Sequence, residues 1–220
     1  MAREPRTFAV IGLGAFGSTV ATELTRYGNH VLGVDLDERR VATFADTLGS
    51  TMIIDSTDEG ALREAGIDSY DVALIAIGRD IQASILTTMN IKLMGVNTIW
   101  VKAANKTHHR ILSKLGADRV ILPEQEIGRH IAQKLNNPIV QDYVSLGNGF
   151  SVVNIVIPER LQDQPLKSLG IGSKHDLQLL GLMRGTEYRA CTDPDILLEC
   201  DDKLLLLGKR QDLSHFGEVL

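Results

Sequence analysis

Apolar residues in the first half of the chain fall into short continuous runs, and amphipathic stretches separate them. The runs Phe8–Ile11, His30–Val34, Thr51–Ile54, Val72–Ala76 and Thr98–Val101, with a short Val120–Leu122, read as strands buried on both faces. Between them, Phe16–Tyr27, Glu38–Thr47, Glu59–Glu64, Ile81–Met94 and Lys106–Leu115 carry helical periodicity. Gly28, Gly49, Gly66, Gly95 and Gly116 fall at or just past the helix ends, where left-handed backbone commonly stops a helix. Asp37 and Asp58 stand where N-caps belong. Strand and helix alternating at this spacing predict an α/β fold, a Rossmann-like doubly wound parallel sheet.

The pattern changes after Pro123. Glu124–Leu135 reads as one more amphipathic helix, stopped by Asn136-Asn137-Pro138. Strand-like runs follow at Asp142–Leu146, Ser151–Ile157, Leu177–Met183 and Lys203–Leu207. Gly147-Asn148-Gly149 is a hairpin signal between the first two. Asp201-Asp202 reads as a turn into the last. This predicts a nucleotide-binding domain over 1–140, crossover helix included, and a smaller α+β domain over 141–220.

Composition narrows the function. The chain has 220 residues, 44% hydrophobic and 23% charged, as in an ordinary soluble globular protein. A net charge of −5 gives no electrostatic case for nucleic acid. No apolar run approaches the roughly 20 residues that cross a bilayer. Met1-Ala2-Arg3-Glu4-Pro5-Arg6 holds no apolar signal core. Cys191 and Cys200 form no Cys-x-x-Cys pair, so a reduced, cytoplasmic protein is expected, reaching a membrane only through a partner.

Chemistry concentrates where the first apolar run meets glycine. Gly12-Leu13-Gly14-Ala15-Phe16-Gly17 is a Gly-x-Gly-x-x-Gly loop between a predicted strand and helix, the context that gives this motif meaning. Gly12 permits the turn, Gly14 presents no side chain to a pyrophosphate, and Gly17 lets the helix pack against the strand. The helix start then offers free N–H groups to an anion. Asp35 ends the second strand, at the spacing of an acid that accepts from ribose hydroxyls. It would repel a 2′-phosphate, which disfavours NADP. An adenine nucleotide is the expected ligand.

Ligands of open parallel sheets lie outside the carboxyl ends of the strands. Strand three ends at Asp55-Ser56-Thr57, whose polar groups could read an adenine edge. Strand four ends at Ala76-Ile77-Gly78, which allows close backbone approach, strand five at Lys102 and strand six at Pro123-Glu124. Lys102 could neutralise phosphate, and Glu124 beside phosphates implies a divalent cation, magnesium or calcium, between them. Each has a plainer reading: Asp55 and Asp58 as helix caps, Lys102 as a solvated strand-end lysine, Glu124 as a first-turn residue favoured by the helix dipole. His108-His109 point about 100° apart on a helix and make a poor chelating pair. No catalytic constellation is visible, which points to a sensor in which a nucleotide biases a conformational equilibrium.

The chain resembles the cytosolic regulatory subunits of bacterial Ktr/Trk potassium-uptake systems, which are built from a domain that regulates potassium conductance (RCK). The likeness covers nearly the whole chain. It is carried by Phe8–Gly14, Val34-Asp35, Ser56-Thr57-Asp58, Ala76-Ile77-Gly78, Ile81–Thr88, Trp100–Ala103, Leu115–Asp118 and Pro123-Glu124. It implies a non-enzymatic subunit that binds ATP or ADP, with NAD(H) a weaker candidate. It implies pairing through the first domain into a homodimer and assembly of dimers into a homo-octameric ring. The ring would dock on the cytosolic face of a potassium-translocating membrane subunit of the KtrB or TrkH type. By resemblance, Gly12, Gly14, Asp35, Ser56, Thr57, Ile77, Gly78 and Lys102 line the nucleotide pocket. Glu124 lies near the γ-phosphate, with a divalent cation, at the dimer interface.

Two departures stand out. Ktr-type members commonly read Gly-Arg-Phe-Gly where this chain has Gly14-Ala15-Phe16-Gly17, so an arginine contact to phosphate is missing. The C-terminal stretch Ile171–Asp176 lacks the Arg-Ala-Lys-Tyr-like segment with which some members bind cyclic di-AMP. The alternatives from other classes are an NAD-dependent oxidoreductase, for which roughly 80 C-terminal residues without an acid–base pair are thin, and a soluble NAD(H) redox sensor.

Overall fold

The computed structural model describes residues 4–136, 140–191 and 193–220. The chain divides into two compact units, Met1–Pro123 and Glu124–Leu220.

In the first unit, six parallel strands are β1 (Thr7–Ile11), β2 (His30–Asp35), β3 (Gly49–Ile53), β4 (Val72–Ile75), β5 (Thr98–Lys102) and β6 (Arg119–Ile121). They lie in the order β3-β2-β1-β4-β5-β6. The helices between them are α1 (Ala15–Arg26), α2 (Glu38–Leu48), α3 (Glu59–Glu64), α4 (Ile81–Leu93) and α5 (Lys106–Lys114). This is the Rossmann-like doubly wound sheet that the sequence predicts, and the order reverses at β1 and β4. The central strands β1, β2 and β4 read as apolar runs because both faces are covered, whereas β3, expected to be buried likewise, is largely exposed, and β6 is only partly buried, because both lie at the sheet edges. Along β1, Ala9 and Ile11 enter a core with Leu32, Val34, Ala73 and Ile75. Val10 and Phe8 enter the opposite core with Leu13, Ala21, Val31 and Val41. At the other end of β1, Thr7 N and Oγ1 both donate to Asp71 Oδ2, at 2.8 and 3.0 Å, and Asp71 N donates back to Thr7 Oγ1. Two anticipated caps form: Asp37 accepts from Arg39 N, and Asp58 from Gly60 N and Ala61 N.

The second unit opens with α6 (Pro123–Asn136). The sequence reading grouped this helix with the first domain, but from Glu124 onward it clusters by contact with the C-terminal residues. Of its expected stop, Asn137 and Pro138 lie outside the described residues, as do Met1–Arg3. An antiparallel sheet follows in the order β10-β9-β11-β8-β7. Its strands are β7 (Val140–Gly147), β8 (Phe150–Val156), β9 (Gln178–Arg184), β10 (Glu187–Arg189) and β11 (Lys203–Lys209). Gly147 pairs with Phe150, so Asn148 and Gly149 form a two-residue turn with φ of 51° and 81°. That is the primed geometry Asn-Gly favours. Burial alternates along β8 and β11, as expected of strands with one buried face. The short α7 (Ile171–Lys174) and α8 (Arg210–Val219) complete the unit. From α8, Leu213 and Phe216 enter the core beside Val153, Ile155, Leu204 and Leu206.

One buried ion pair ties this unit together. The Arg184 guanidinium donates to both Asp202 carboxylate oxygens, at 2.9 and 2.8 Å, to the Leu197 carbonyl at 2.9 Å, and to Glu199. Asp202 is 1% exposed. Its Oδ2 also accepts from Glu199 N. Hydrogen bonds to Asp202 hold the Arg184 pKa above its ordinary value. A lysine keeps the charge but loses the planar fork. Arg184→Lys is expected to destabilise the protein by about 1.5 kcal/mol, read as a lower denaturant midpoint with an unchanged slope.

Candidate nucleotide site

The glycine loop occupies the carboxyl end of β1. At Gly12 the backbone turns with φ of +98°, and Gly12 N donates to Val34 O at 2.7 Å. A Cβ on Gly12 would lie 3.1 Å from the Ala76 carbonyl carbon. A Cβ on Gly17 would lie 1.9 Å from Gly12 O and 2.9 Å from Ala76 Cβ. Packing therefore demands glycine at both positions. Gly14 differs. It is the N-cap of α1 in extended backbone, no side chain caps the helix, and a Cβ there would meet nothing within 4 Å. Among the described residues nothing approaches a side chain at that point, so the glycine leaves open space over the helix start. The first N–H groups of a helix lack intrahelical acceptors, and the dipole adds to their pull on an anion.

Leu13 contributes backbone alone: its side chain is 2% exposed in the core, and its N–H donates to Asp35 Oδ2 at 2.7 Å. Ala15 is exposed on the first turn of α1. Phe16 lies beneath Lys102, whose Nζ is 5.6 Å from the ring centroid. A Cβ on Gly78 would stand 3.1 Å from that Nζ, so the missing side chain gives the lysine its room. Ala76 is buried, and its N–H donates to Ile11 O at 2.7 Å. The Ile77 nitrogen would be 3.3 Å from a Gly12 Cβ. Strand ends β1, β4 and β5 thus bring the glycine loop, Ala76-Ile77-Gly78 and Lys102 together.

Asp35 closes the β2 side. It is 8% exposed. Oδ2 accepts from Leu13 N and, at 3.3 Å, from Arg40 Nη1, while Oδ1 accepts from Asp37 N at 2.9 Å. The carboxylate therefore joins the glycine loop to the start of α2.

The strand-three segment turns inward more than its sequence suggests. The Ser56 hydroxyl is 2.8 Å from Thr87 Oγ1 on α4, which also donates to Ser56 O, and Thr57 O accepts from Asn90 Nδ2 at 2.9 Å. Asp55 accepts from the Thr57 hydroxyl at 2.7 Å and from Thr57 N at 3.0 Å, and these bonds hold its carboxyl below the usual range. Polar groups expected to read an adenine edge are thus partly engaged in fixing the segment to α4. Thr87 enters the sequence reading only within the Ile81–Thr88 likeness, and Asn90 and Arg40 do not enter it. The available signal was the polar set Ser84, Thr87, Thr88 and Asn90 inside an apolar helix. In the fold those four are buried together with Ile91, while Ile81, Met89 and Leu93 are exposed.

His108 is buried in α5. Its Nδ1 accepts from Ala104 N at 3.2 Å, and burial pushes its pKa down. Glu124 is exposed in the first turn of α6 and belongs to the second unit. Among the described residues, no group of three or more His, Cys, Asp or Glu is placed to hold a metal ion. No helix among them is long and apolar enough to cross a membrane.

Comparison with known proteins agrees with this geometry. Residues 8–123 match the TrkA-N domain. The chain is 35% identical to Ktr system potassium uptake protein A of Bacillus subtilis over 211 residues, 96% of this chain and 95% of that protein. It is 38% identical to Ktr system potassium uptake protein C of the same organism, over 96% of each chain. A GsuK channel bound to NAD shares the fold with a TM-score of 0.56 at 18% identity. That match covers 99% of this chain and 39% of the channel's. The glycine loop, the strand order and the full-length likeness lead to one conclusion: the chain belongs to the family of RCK regulatory subunits of Ktr/Trk potassium-uptake systems.

Proposed function

We propose that the protein is a nucleotide-controlled, non-enzymatic regulatory subunit of a potassium-translocating membrane protein. The observation that carries this reading is Gly14: a glycine with open space beside it, at an uncapped helix start, flanked by two glycines that packing demands. In this reading phosphates rest on the start of α1, with Lys102 beside them and the ribose on Asp35. Glu124, in the second unit, is by resemblance our candidate carboxylate for a divalent cation. Gly12, Ala76, Ile77 and Gly78 give backbone approach, and Asp55, Ser56 and Thr57 shape the adenine end. Residues 1–140 form the functional nucleotide-binding domain and 141–220 the second. Two copies pair through the first domain, dimers build an octameric ring, and the ring attaches peripherally to the cytoplasmic face of its transporter. Exchange of ATP for ADP biases the ring between two shapes, which requires different affinities in the two.

Calorimetric titration with ATP, ADP and NADH, with and without magnesium, tests the reading. ATP and ADP are expected to bind more tightly than NADH, with magnesium strengthening ATP alone. The likeness to a channel bound to NAD supports a second reading, an NAD(H)-sensing subunit. It gives NADH as the tightest ligand and no magnesium effect.

A further inference from the structure

The hydrogen bonds at Asp35 leave too few acceptor sites for a ribose. A carboxylate offers about four lone-pair sites, two on each oxygen. Oδ1 accepts from Asp37 N and keeps one site. Oδ2 accepts from Leu13 N at 2.7 Å and from Arg40 Nη1 at 3.3 Å, which fills it. A ribose held through both its 2′- and 3′-hydroxyls needs one site on each oxygen. The two backbone donors are fixed by the glycine loop and the start of α2. Arg40 is the donor that can leave: its side chain is 47% exposed, its bond is the longest of the three, and Asp37 Oδ2 already lies 3.7 Å from its Nε.

We propose that Arg40 is a specificity-determining residue of the ribose subsite. Its guanidinium competes with one ribose hydroxyl for Asp35 Oδ2 and swings toward Asp37 when a nucleotide bearing both hydroxyls binds. A 2′-deoxynucleotide needs only the open site on Oδ1 and leaves Arg40 in place. Arg40 therefore lowers the affinity for ribonucleotides and leaves that for deoxynucleotides alone, so it narrows the preference between them. The inference rests on the nucleotide-site reading given above.

Titration of the full-length protein with ATP and 2′-deoxyATP tests it. In Arg40→Leu, ATP should bind about threefold or more tightly than in the wild type while 2′-deoxyATP is unchanged, so the ratio of their dissociation constants rises by the same factor. An arginine that merely supports the fold would move both ligands together. An unchanged or smaller ratio, in a variant that binds ATP, overturns the inference and leaves the nucleotide site standing. Failure of the wild type to bind any adenine nucleotide overturns both. If Arg40→Leu does not fold, wild-type titration at low and high sodium chloride replaces it. Salt screens a half-exposed ion pair, so the ratio should rise with salt, and a flat ratio counts against the competition.

Discussion

Gly17→Ala is expected to remove nucleotide binding and to lower stability by about 3 kcal/mol, the upper part of the range for overpacking. The reason is where the added methyl must go. Its nearest neighbour, 1.9 Å away, is the Gly12 carbonyl oxygen, a backbone atom of the turn itself. No rotamer relieves that contact. Either α1 retreats from the sheet or the turn opens, and both change the position of the helix start. Gly14→Ala makes the contrast. The new methyl meets nothing within 4 Å, and φ is an ordinary −67°. Stability should change by less than about 1 kcal/mol, the difference between glycine and alanine at an N-cap, while ATP binding weakens. Chemical denaturation and ATP titration of the two variants together decide the matter. A Gly14→Ala variant that binds ATP like the wild type would remove the reason for placing phosphates there.

Ala15→Arg should increase the preference for ATP over ADP by about tenfold, the low end for a hydrogen bond to a charged group. Ala15 is exposed on the first turn of α1, so an arginine fits without displacing any core residue. Its fork suits a phosphate bidentately. From the helix start it adds a contact that only the terminal phosphate of ATP supplies. Without it, the γ-phosphate is read by fewer groups, and the two nucleotides are expected to bind this chain with similar affinity. The ratio of the ADP and ATP dissociation constants measures the effect directly. A ratio equal to that of the wild type would show that position 15 does not sense the γ-phosphate.

Most of the first unit was legible in its sequence because a doubly wound sheet writes its pattern locally. The central strands β1, β2 and β4 are buried on both faces and read as apolar runs, the edge strands β3 and β6 are more exposed, and each helix ends at or just before a glycine. The antiparallel unit was less legible. β10, Glu187–Arg189, is short and wholly exposed, so it carries no apolar pattern. α8 gives no apolar run because its core residues are spaced around polar ones. At the candidate site, Asp35 and the glycines were legible from spacing. Arg40 was not, since its meeting with Asp35 depends on the path of the chain into α2. Ser56 was legible as a polar residue at a strand end, but its bond to Thr87 depends on α4 packing nearby, 31 residues on.

The strand order also sets when the site can exist as the chain is made. The glycine loop is made well before its floor, Ala76, which lies on the far side of a long loop closure. The bonds between Thr7 and Asp71, which bring β1 alongside β4, span 64 residues. At typical synthesis rates of about 5–20 residues per second, β1 waits roughly 3–13 s for that neighbour. Through that interval its apolar run and one unpaired edge are open to other nascent chains or chaperones. In the proposed reading the nucleotide site is complete only once β5, which ends at Lys102, has been made. On that reading, bound nucleotide then favours the folded state over the exposed one by mass action.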